Sequence, residues 1–230
     1  MALLTLLLMI PLIAYGLFVM SKSRTFQFFG TLVSRVDTND KIIALTFDDA
    51  PSAFSNQVVD ILAEKSIPAT FFVIGQNIKQ FPQETKYIVE HHNQLGNHSY
   101  SHQRFLFKSW SFIDQEIQTT NQLIKEAGYT DEIVFRPPNG KKLFLLPLYL
   151  QQHQMKTIMW DVEPDTYVAG DSEAIVQYTL EHTQPGSIIL LHPFCETTCQ
   201  ADRKALPQII DQLHQKGYRF VTINELLQLK

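Results

Sequence analysis

The chain has 230 residues, a length that suits one large domain better than two ordinary domains joined by a linker. Hydrophobic residues make up 45% of the chain and charged residues 18%, so it can bury a core and is neither disordered nor of low complexity. The formal net charge is −4, which offers no basic surface to a phosphate backbone. We therefore expect no nucleic-acid partner, and we expect a monomer.

The N-terminal segment is strongly apolar. From Ala2 to Met20 it carries no Asp, Glu, Lys, Arg or His, and as a helix it reaches roughly 28 Å, close to the thickness of the membrane hydrocarbon. This predicts a hydrophobic helix over residues 1–21 that anchors the protein in a membrane, followed by a juxtamembrane connector over 22–40. A cleaved signal segment is one alternative, because Ala14 and Gly16 form a weak small-x-small site. A buried core helix is the other.

Beyond residue 40, apolar strand-like runs alternate with helical patterns. This alternation predicts parallel strands joined by helical crossovers, and runs that are apolar throughout predict strands buried on both faces. FDDAPS stands after the first run, where a nucleotide-binding sheet would have a glycine-rich loop. We predict an α/β fold, with a complete or incomplete (β/α) barrel. The runs are IIALTF, TFFVIG, IVFR, TIMW, SIILLH and YRFVTI.

Ionisable side chains cluster where the predicted strands end, which is where (β/α) barrels carry their reactive groups. Asp48 and Asp49 end the first strand, and adjacent carboxylates repel unless a cation or a shared proton relieves them. A cation is therefore implied. Taken alone, such a pair before Pro51 is also typical of a helix cap and turn. Later strands end in Arg136, in Trp160 and Asp161, and in His192.

His98 and His102 are four residues apart, so one helical turn would stack both imidazoles on one face. Solvated or core histidines would show the same spacing. Two imidazoles and one carboxylate leave coordination positions open, as catalytic zinc and related divalent ions need. Of the two adjacent aspartates, one could bind the metal while the other accepts a proton.

Five motifs carry a resemblance to a known family. TFDDAPS, GNHSYSH, FRPPNG, WDVEPD and ILLHP occur in this order at strand ends. Together they resemble the motifs of the polysaccharide deacetylase family, the NodB-homology domain of carbohydrate esterase family 4. The resemblance covers residues 41–230, which it marks as the catalytic domain. It implies a distorted (β/α) barrel of about seven parallel strands, and metal-dependent removal of acetyl groups from N-acetylated sugars or, more rarely, from O-acetyl esters.

The resemblance also implies roles for single residues. Asp48 resembles the general base and Arg136 the arginine that orients it. Asp49, His98 and His102 resemble the ligands of a divalent metal, which we expect to be Zn²⁺, with Co²⁺ and Ni²⁺ as alternatives. The substrate would be a polysaccharide or oligosaccharide, either peptidoglycan or a chitin-like polymer.

His192 resembles the general acid that protonates the departing amine, and a nearby carboxylate should raise its pKa. Asp165 is our candidate for that carboxylate, with Asp161 and Glu163 as alternatives. The backbone N–H of residue 139 would help to hold the oxyanion. The expected substrate-binding residues are Pro138, Asn139, Trp160, Tyr167 and Leu190.

The third and fourth motifs depart from the family pattern, because Asn139 replaces the usual Tyr and EPDTY replaces the usual Asp-Trp pair. Ala50 also stands where the family has Gly. A carbohydrate-binding protein that kept the barrel but lost turnover is therefore a second hypothesis. Hydrolysis of a small non-sugar amide is a third.

The anchor predicts a cell-membrane protein whose catalytic domain faces the envelope, or a secreted protein if the segment is cleaved. Lys22, Arg24 and Arg35 all follow the apolar run and none precedes it, which by the positive-inside rule favours a cytoplasmic domain instead, so the orientation stays open. Cys195 and Cys199 allow one short disulfide or two free thiols.

Overall fold

The structure, a computed structural model, describes the backbone of residues 2–229 and the side chains from residue 9 onward. Met1, the first residue of the predicted segment 1–21, and Lys230, the last residue of the predicted domain 41–230, lie outside the described residues. Within this range the chain forms the strands β1 (Leu32–Val33), β2 (Ile42–Ala50), β3 (Thr70–Val73), β4 (Gln94–Asn97), β5 (Thr157–Ile158), β6 (Ile188–Leu191) and β7 (Arg219–Val221).

Helices alternate with these strands, as the sequence pattern predicts. They are α1 (Ala2–Ser21), α2 (Ser55–Glu64), α3 (Gly75–Gln80), α4 (Pro82–Glu90), α5 (Trp110–Glu126), α6 (Leu145–Gln152), α7 (Pro164–Tyr167), α8 (Ser172–His182), α9 (Gln200–Gln215) and α10 (Ile223–Leu227). A 3₁₀ turn, Pro138–Gly140, lies between α5 and α6.

All strand pairs are parallel. One sheet has the order β4-β3-β2-β6 with β7 also pairing with β2, and β1 pairs with β5. Single parallel bridges join Asn97 to Phe135, Phe135 to Thr157, and Val162 to Ile189, and these continue the ring between the two sheets. The predicted α/β fold with parallel strands and an N-terminal helix is confirmed. The barrel is distorted, because single bridges stand where full strands would close it.

Strand β2 shows how the sequence builds two layers of core. Ile43, Leu45 and Phe47 lie in the hydrophobic cluster that packs against the surrounding helices. Ala44, between them, belongs to a second cluster inside the barrel. Successive side chains of a strand point to opposite faces, so a strand buried on both faces is apolar throughout. The same alternation directs Asp48 toward the barrel interior.

The predicted single-pass membrane anchor is wrong. Among residues 2–229, no helix is both long and apolar enough to cross a membrane. The cell-membrane localisation that depended on the anchor is corrected with it. The end of α1 instead packs on the barrel, where Ser21 is buried and its carbonyl accepts a hydrogen bond from Lys142 N–H at 2.9 Å.

Candidate active site

Strand β2 brings two aspartates to the carboxyl end of the barrel. Asp48 is buried and follows the inward alternation of the strand. Asp49 has a φ of +67°, and the pairing of β2 with β3 slips between Phe47 and Ala50. In an unbroken strand the two carboxylates would point to opposite faces. Because the alternation is broken at Asp49, both side chains line the same pocket.

His98 and His102 lie on an irregular loop after β4, so the predicted helical turn between them is wrong. Ser99 and His102 adopt left-handed backbone conformations, with φ of +69° and +56°. The N–H of His102 donates to the hydroxyl of Ser99 at 3.0 Å. This turn still brings the two imidazole rings to a centroid distance of 4.9 Å. Loop geometry, rather than helical periodicity, pairs these histidines.

Glu116 of α5 holds this loop in place. Its side chain accepts hydrogen bonds from the N–H of Tyr100 at 3.0 Å and from the N–H of Ser101 at 2.8 Å. The hydroxyl of Ser101 donates to the other carboxylate oxygen at 2.7 Å. Glu116 is buried, so these bonds satisfy a charge that would otherwise be costly to bury. The carboxylate therefore fixes the loop that carries both histidines.

The hydrogen bond made by His98 sets its tautomer. Its Nδ1 atom lies 2.8 Å from the carbonyl oxygen of Arg136, and a carbonyl can only accept. Nδ1 therefore carries the proton, which leaves the lone pair of Nε2 free. This is the arrangement that metal-binding histidines use.

The side chains of Asp49, His98 and His102 form a compact cluster. One ligand atom from each lies within 4.8 Å of the others. His102 Nε2 is 3.2 Å from Asp49 Oδ1, and that oxygen is buried without a hydrogen-bond partner among the described residues. A buried acceptor with no donor, facing two imidazole nitrogens, fits a divalent cation. The predicted metal ligands are thus brought together.

Asp48 is paired with the buried guanidinium of Arg136. The Nη1 atom of Arg136 donates to Asp48 Oδ1 at 2.7 Å, and Asp48 Oδ2 lies 3.5 Å from His98 Nε2. Burial raises the pKa of Asp48, but the charges of Arg136 and His192, with the hydrogen bond from Arg136, outweigh burial and hold that pKa below its ordinary value. Asp48 is therefore ionised at neutral pH.

His192 follows β6 on the other side of the pocket. Its Nδ1 atom lies 2.7 Å from Asp165 Oδ2. Burial lowers the pKa of His192, but the hydrogen bond and charge of Asp165, with the charges of Asp48 and Asp49, raise it to about 9. At neutral pH His192 is protonated while Asp48 is not. The pocket therefore holds a proton acceptor and a proton donor.

The two alternative partners of His192 are engaged elsewhere. Asp161 accepts hydrogen bonds from the hydroxyl of Ser187 and the N–H of Ile188, both at 2.8 Å. Glu163 accepts from the indole N–H of Trp160 at 2.9 Å and pairs with Arg24. Of the three candidate carboxylates, Asp165 is the one that the structure places against His192.

The pocket has a volume of about 400 Å³ and is lined by Asp48, Asp49, His98, His102 and His192 together with Asn139 and Trp160. A larger cavity of about 780 Å³ lies near Pro68 and Gln94, at the amino ends of β3 and β4, away from these side chains. We place the site at the carboxyl ends, where barrels of this class carry their chemistry.

The other predicted substrate-binding residues lie outside this pocket. Leu190 is fully buried in the barrel interior, two residues before His192. Tyr167 is 60% exposed and stacks on Tyr178 at a ring distance of 5.4 Å, on the outer surface. Pro138 is buried as the first residue of the 3₁₀ turn. The sequence does not distinguish these residues from those that line the pocket, because lying near the end of a strand does not fix the direction in which a side chain points.

Comparison with known proteins agrees with this geometry. Residues 35–158, just over half of the chain, match the sequence model of the family described as "Polysaccharide deacetylase". The chain belongs to the polysaccharide deacetylase family. The resemblance of its five motifs to that family is confirmed.

Three relatives illustrate the likeness. The chain is 33% identical over 197 residues to the peptidoglycan-N-acetylmuramic acid deacetylase PdaC of Bacillus subtilis, matching 85% of this chain but 40% of PdaC. The solved structure of PdaC has a TM-score of 0.73 and 32% identity, and the match covers 84% of this chain and 93% of that one. A peptidoglycan-N-acetylglucosamine deacetylase of Bacillus cereus is 33% identical, with 83% of this chain and 70% of the relative covered.

The third relative is a pseudoenzyme. The structure of BA3943 from Bacillus anthracis, described as a CE4 family pseudoenzyme, has a TM-score of 0.76 and 30% identity, and the match covers 85% of this chain and 68% of that one. Members with this fold therefore include both deacetylases and a pseudoenzyme.

Sequence reasoning does not predict two of the cationic side chains that line the pocket. Lys22 and Arg24 line the pocket although they belong to the predicted connector and precede the residues that match the family. Their only sequence signal is a pair of cations after an apolar run, which is typical of a membrane flank. The contact depends on the path of the chain around the barrel.

Proposed function

We propose that the protein is a metal-dependent hydrolase that removes acetyl groups from N-acetylated sugars of peptidoglycan. The observation that carries this proposal is the cluster of Asp49, His98 and His102 between an ionised Asp48 and a protonated His192 in one pocket. The names of the PdaC and Bacillus cereus relatives support peptidoglycan as the polymer.

Asp49, His98 and His102 would hold the metal. Two imidazoles and one carboxylate are ligands that suit Zn²⁺ and leave a position for water or substrate, so we propose Zn²⁺, with Co²⁺ and Ni²⁺ as alternatives. When bound, a divalent cation polarises the acetyl carbonyl and lowers the pKa of the attacking water.

Asp48 would act as the general base. Arg136 holds Oδ1 of Asp48 and leaves Oδ2 facing the histidine cluster, so the free oxygen can accept a proton from the attacking water. Arg136 is itself fixed by further hydrogen bonds to Thr46 Oγ1 at 2.9 Å and to the carbonyl of Met159 at 3.2 Å. The base is therefore held in one orientation.

His192 would act as the general acid, with Asp165 as its positioning residue. Since Asp165 accepts from Nδ1, the Nε2–H of the imidazolium is the proton available to the departing amine. Asn139 lines the same pocket with φ of +53°, and its backbone N–H is our candidate donor to the oxyanion.

We further propose that residues 41–230 form the catalytic domain. The family match begins at residue 35, and every proposed catalytic and metal-binding residue lies after residue 41. Lys22 and Arg24 line the pocket from outside that span.

Acetate release tests the proposal. The full chain is stripped of metal, reloaded with Zn²⁺, Co²⁺ or Ni²⁺, and incubated with peptidoglycan and with N-acetylglucosamine oligomers. We expect metal-dependent acetate release that is lost in Asp48→Asn and kept in Asp60→Asn, a matched change on the outer face of α2. A metal-loaded native protein that releases no acetate from either substrate would refute the hydrolase.

The likeness to a pseudoenzyme favours a second candidate, a carbohydrate-binding protein without turnover. That alternative predicts saturable binding of peptidoglycan fragments by the loaded protein with no acetate formed. Asp48, held by Arg136, and His192, held by Asp165, favour the hydrolase, because a binding site does not need a proton acceptor and a proton donor in one pocket.

A further inference from the structure

Cations surround the mouth of the active-site pocket. Lys22 and Arg24 line it directly, Lys141 follows the lining residue Gly140, and Arg104 bonds to a lining residue. We call Lys22, Arg104 and Lys141 the cationic rim. We propose that the cationic rim binds a carboxylate of the substrate, so that the preferred substrate is an acidic N-acetylated sugar. This inference rests on the proposed function, whose substrate class it narrows.

The first support is the position of the two lysines. The ammonium group of Lys22 lies 4.8 Å from the ring centroid of Phe18, and that of Lys141 lies 5.0 Å from the same centroid. Phe18 belongs to α1, so both ammonium groups lie at the last turns of the N-terminal helix, and Lys22 lines the pocket there. An aromatic face attracts a cation and keeps it in a defined place.

Arg104 completes the rim from the loop that follows the histidines. Its Nε–H donates to Asn139 Oδ1 at 2.8 Å. Asn139 lines the pocket on the 3₁₀ turn just before Lys141. The guanidinium is thus directed to the same edge of the pocket as the lysines, while its remaining N–H groups stay available to an acceptor.

No carboxylate among the described side chains forms an ion pair with the rim. Arg24 is paired with Glu163 and lies 4.7 Å from the ring of Trp160, so its charge is neutralised. Within residues 9–229, by contrast, none of the three rim side chains has a carboxylate within 4.0 Å. The chain as a whole is acidic, with a net charge of −4, so this group of unpaired cations is a local feature.

Like charges held close together repel one another, and a bound anion relieves that repulsion. Burial lowers the pKa of Lys141, and the charges of Lys22 and Arg104 lower it further. An anion at the rim would be attracted by all three charges at once. Such complementarity acts on affinity and on the choice among similar ligands.

The chemistry of the site limits where the anion can be. The acetamido group must reach the cluster of Asp49, His98 and His102, so the anion has to lie on the same sugar or on its neighbour. A carboxylate attached next to the carbon that carries the acetamido group meets this requirement. N-acetylmuramic acid has such a carboxylate, whereas N-acetylglucosamine has none.

Binding of a matched pair of sugars tests the inference without relying on turnover. The metal-loaded full chain is titrated with N-acetylmuramic acid and with its methyl ester, in which a methyl group replaces the negative charge, and acetate is assayed in the same samples. We expect the acid to bind about 5- to 30-fold more tightly than the ester, from up to about fivefold per exposed charge pair. Raising the salt from 0.02 to about 0.5 M should shrink this preference, because salt screens exposed charges.

Charge reversal locates the effect. Lys22→Glu and Lys141→Glu should each reduce the ratio of the two affinities at least about threefold. Lys22→Arg keeps the positive charge and should keep the native ratio. Lys86→Glu on the exposed face of α4 makes the same change in net charge away from the pocket and should keep the native ratio. Thermal unfolding of each variant shows whether it is folded.

The outcomes separate the two proposals. Equal affinities for the acid and the ester in the native protein, or an unchanged ratio in both reversed variants, would overturn the rim, whatever the acetate assay shows. Acetate release without a charge preference would leave the hydrolase standing alone. A charge preference that follows the rim residues would support the rim even if the protein releases no acetate from peptidoglycan or N-acetylglucosamine oligomers, the result that refutes the hydrolase.

Discussion

The imidazole of His192 and the carboxylate of Asp165 are joined twice. Asp165 Oδ2 lies 2.7 Å from Nδ1 of His192 and accepts a second hydrogen bond from the backbone N–H of His192 at 2.8 Å. The two contacts fix the ring relative to its own backbone, so the imidazolium is held in one orientation. Asp165 therefore controls both the direction and the charge of the proposed acid.

Removing the charge of Asp165 should shift the pH dependence of turnover. His192 must be protonated to act as the acid, so activity falls as the pH rises through its pKa, which is near 9 in the folded protein. In Asp165→Asn the favourable charge is lost while burial remains, so that pKa falls. The alkaline limb of kcat against pH should then move to lower pH, measured as acetate release between pH 6 and 10.

Asp161→Asn and Glu163→Gln are the matched controls for Asp165. Each removes one negative charge from the same segment but from a carboxylate bonded elsewhere, and each should leave the alkaline limb in place. A limb that moves in either control, with Asp165→Asn unchanged, would transfer the positioning role to that carboxylate.

Loss of one ligand should empty the metal site. Asp49→Ala or His98→Ala leaves two protein ligands, and the affinity for Zn²⁺ should fall at least about 100-fold, since removing an outer partner alone costs about 10- to 100-fold. Elemental analysis after dialysis provides the measurement. His91→Ala, a histidine bonded to the carbonyl of Tyr87 on α4, should retain full metal content. Stoichiometric Zn²⁺ in both ligand variants would contradict the assignment.

Asp48→Asn should separate metal binding from turnover. The amide keeps the shape of the side chain but cannot accept the proton, so kcat should fall about 100- to 10,000-fold. The metal content should remain stoichiometric, because Asp49, His98 and His102 are intact. Near-native acetate release by this variant would show that another group is the base.

Arg136 should affect both stability and pH dependence. In Arg136→Met the carboxylate of Asp48 stays buried without its partner, and breaking a buried ion pair of this kind costs about 3–5 kcal/mol in the free energy of unfolding. The guanidinium holds the pKa of Asp48 down, so its loss raises that pKa. The acid limb of kcat should move to higher pH in the variant, and urea unfolding measures the stability. An unchanged acid limb would mean that Arg136 does not tune the base.

The stability contribution of Asp48 also depends on pH. Its folded-state pKa is lowered, so its ionised form stabilises the protein above the unfolded-state pKa, and this contribution is lost as the pH falls. The native protein and Arg136→Met should therefore differ most in stability near neutral pH. Their difference should narrow as the solution becomes acidic.

Glu116 should influence metal affinity without touching the metal. In Glu116→Ala the N–H groups of Tyr100 and Ser101 lose their acceptor, and the loop that carries both histidines loosens. We expect the affinity for Zn²⁺ to fall about 10- to 100-fold. Glu126→Ala, at the exposed end of the same helix, is the control and should bind metal normally. Equal affinities for Zn²⁺ in the two variants would show that Glu116 does not position the histidines for metal binding.

The strand-end part of this site is predictable from the sequence because parallel strands gather their carboxyl ends at one edge. Asp48 and His192 each follow an apolar run, and a barrel brings such positions together whatever the length of the intervening chain. The pairing of His192 with Asp165 is not predictable in the same way. It depends on how the segment after Trp160 turns, and three carboxylates there are equivalent in the sequence.

The pocket wall made by Lys22 and Arg24 and the left-handed conformations at Asp49 and His102 are equally hidden. Both depend on contacts between segments distant in the chain, which overrule local propensity. The apolar run of α1 illustrates the opposite error, because composition alone suggested a membrane span that the helix does not provide.

The attachment of the first residues to the barrel has a practical consequence for protein production. Lys142 binds the carbonyls of Ser21 and Ser23, and Arg24 lies on Trp160, so residues 21–24 form part of the pocket wall. A recombinant fragment that starts at residue 35, where the family match begins, would keep every proposed metal ligand and proton-transfer group. It would nevertheless expose the indole of Trp160 to solvent and lack Lys22, so substrate preferences measured on such a fragment would not describe the intact chain.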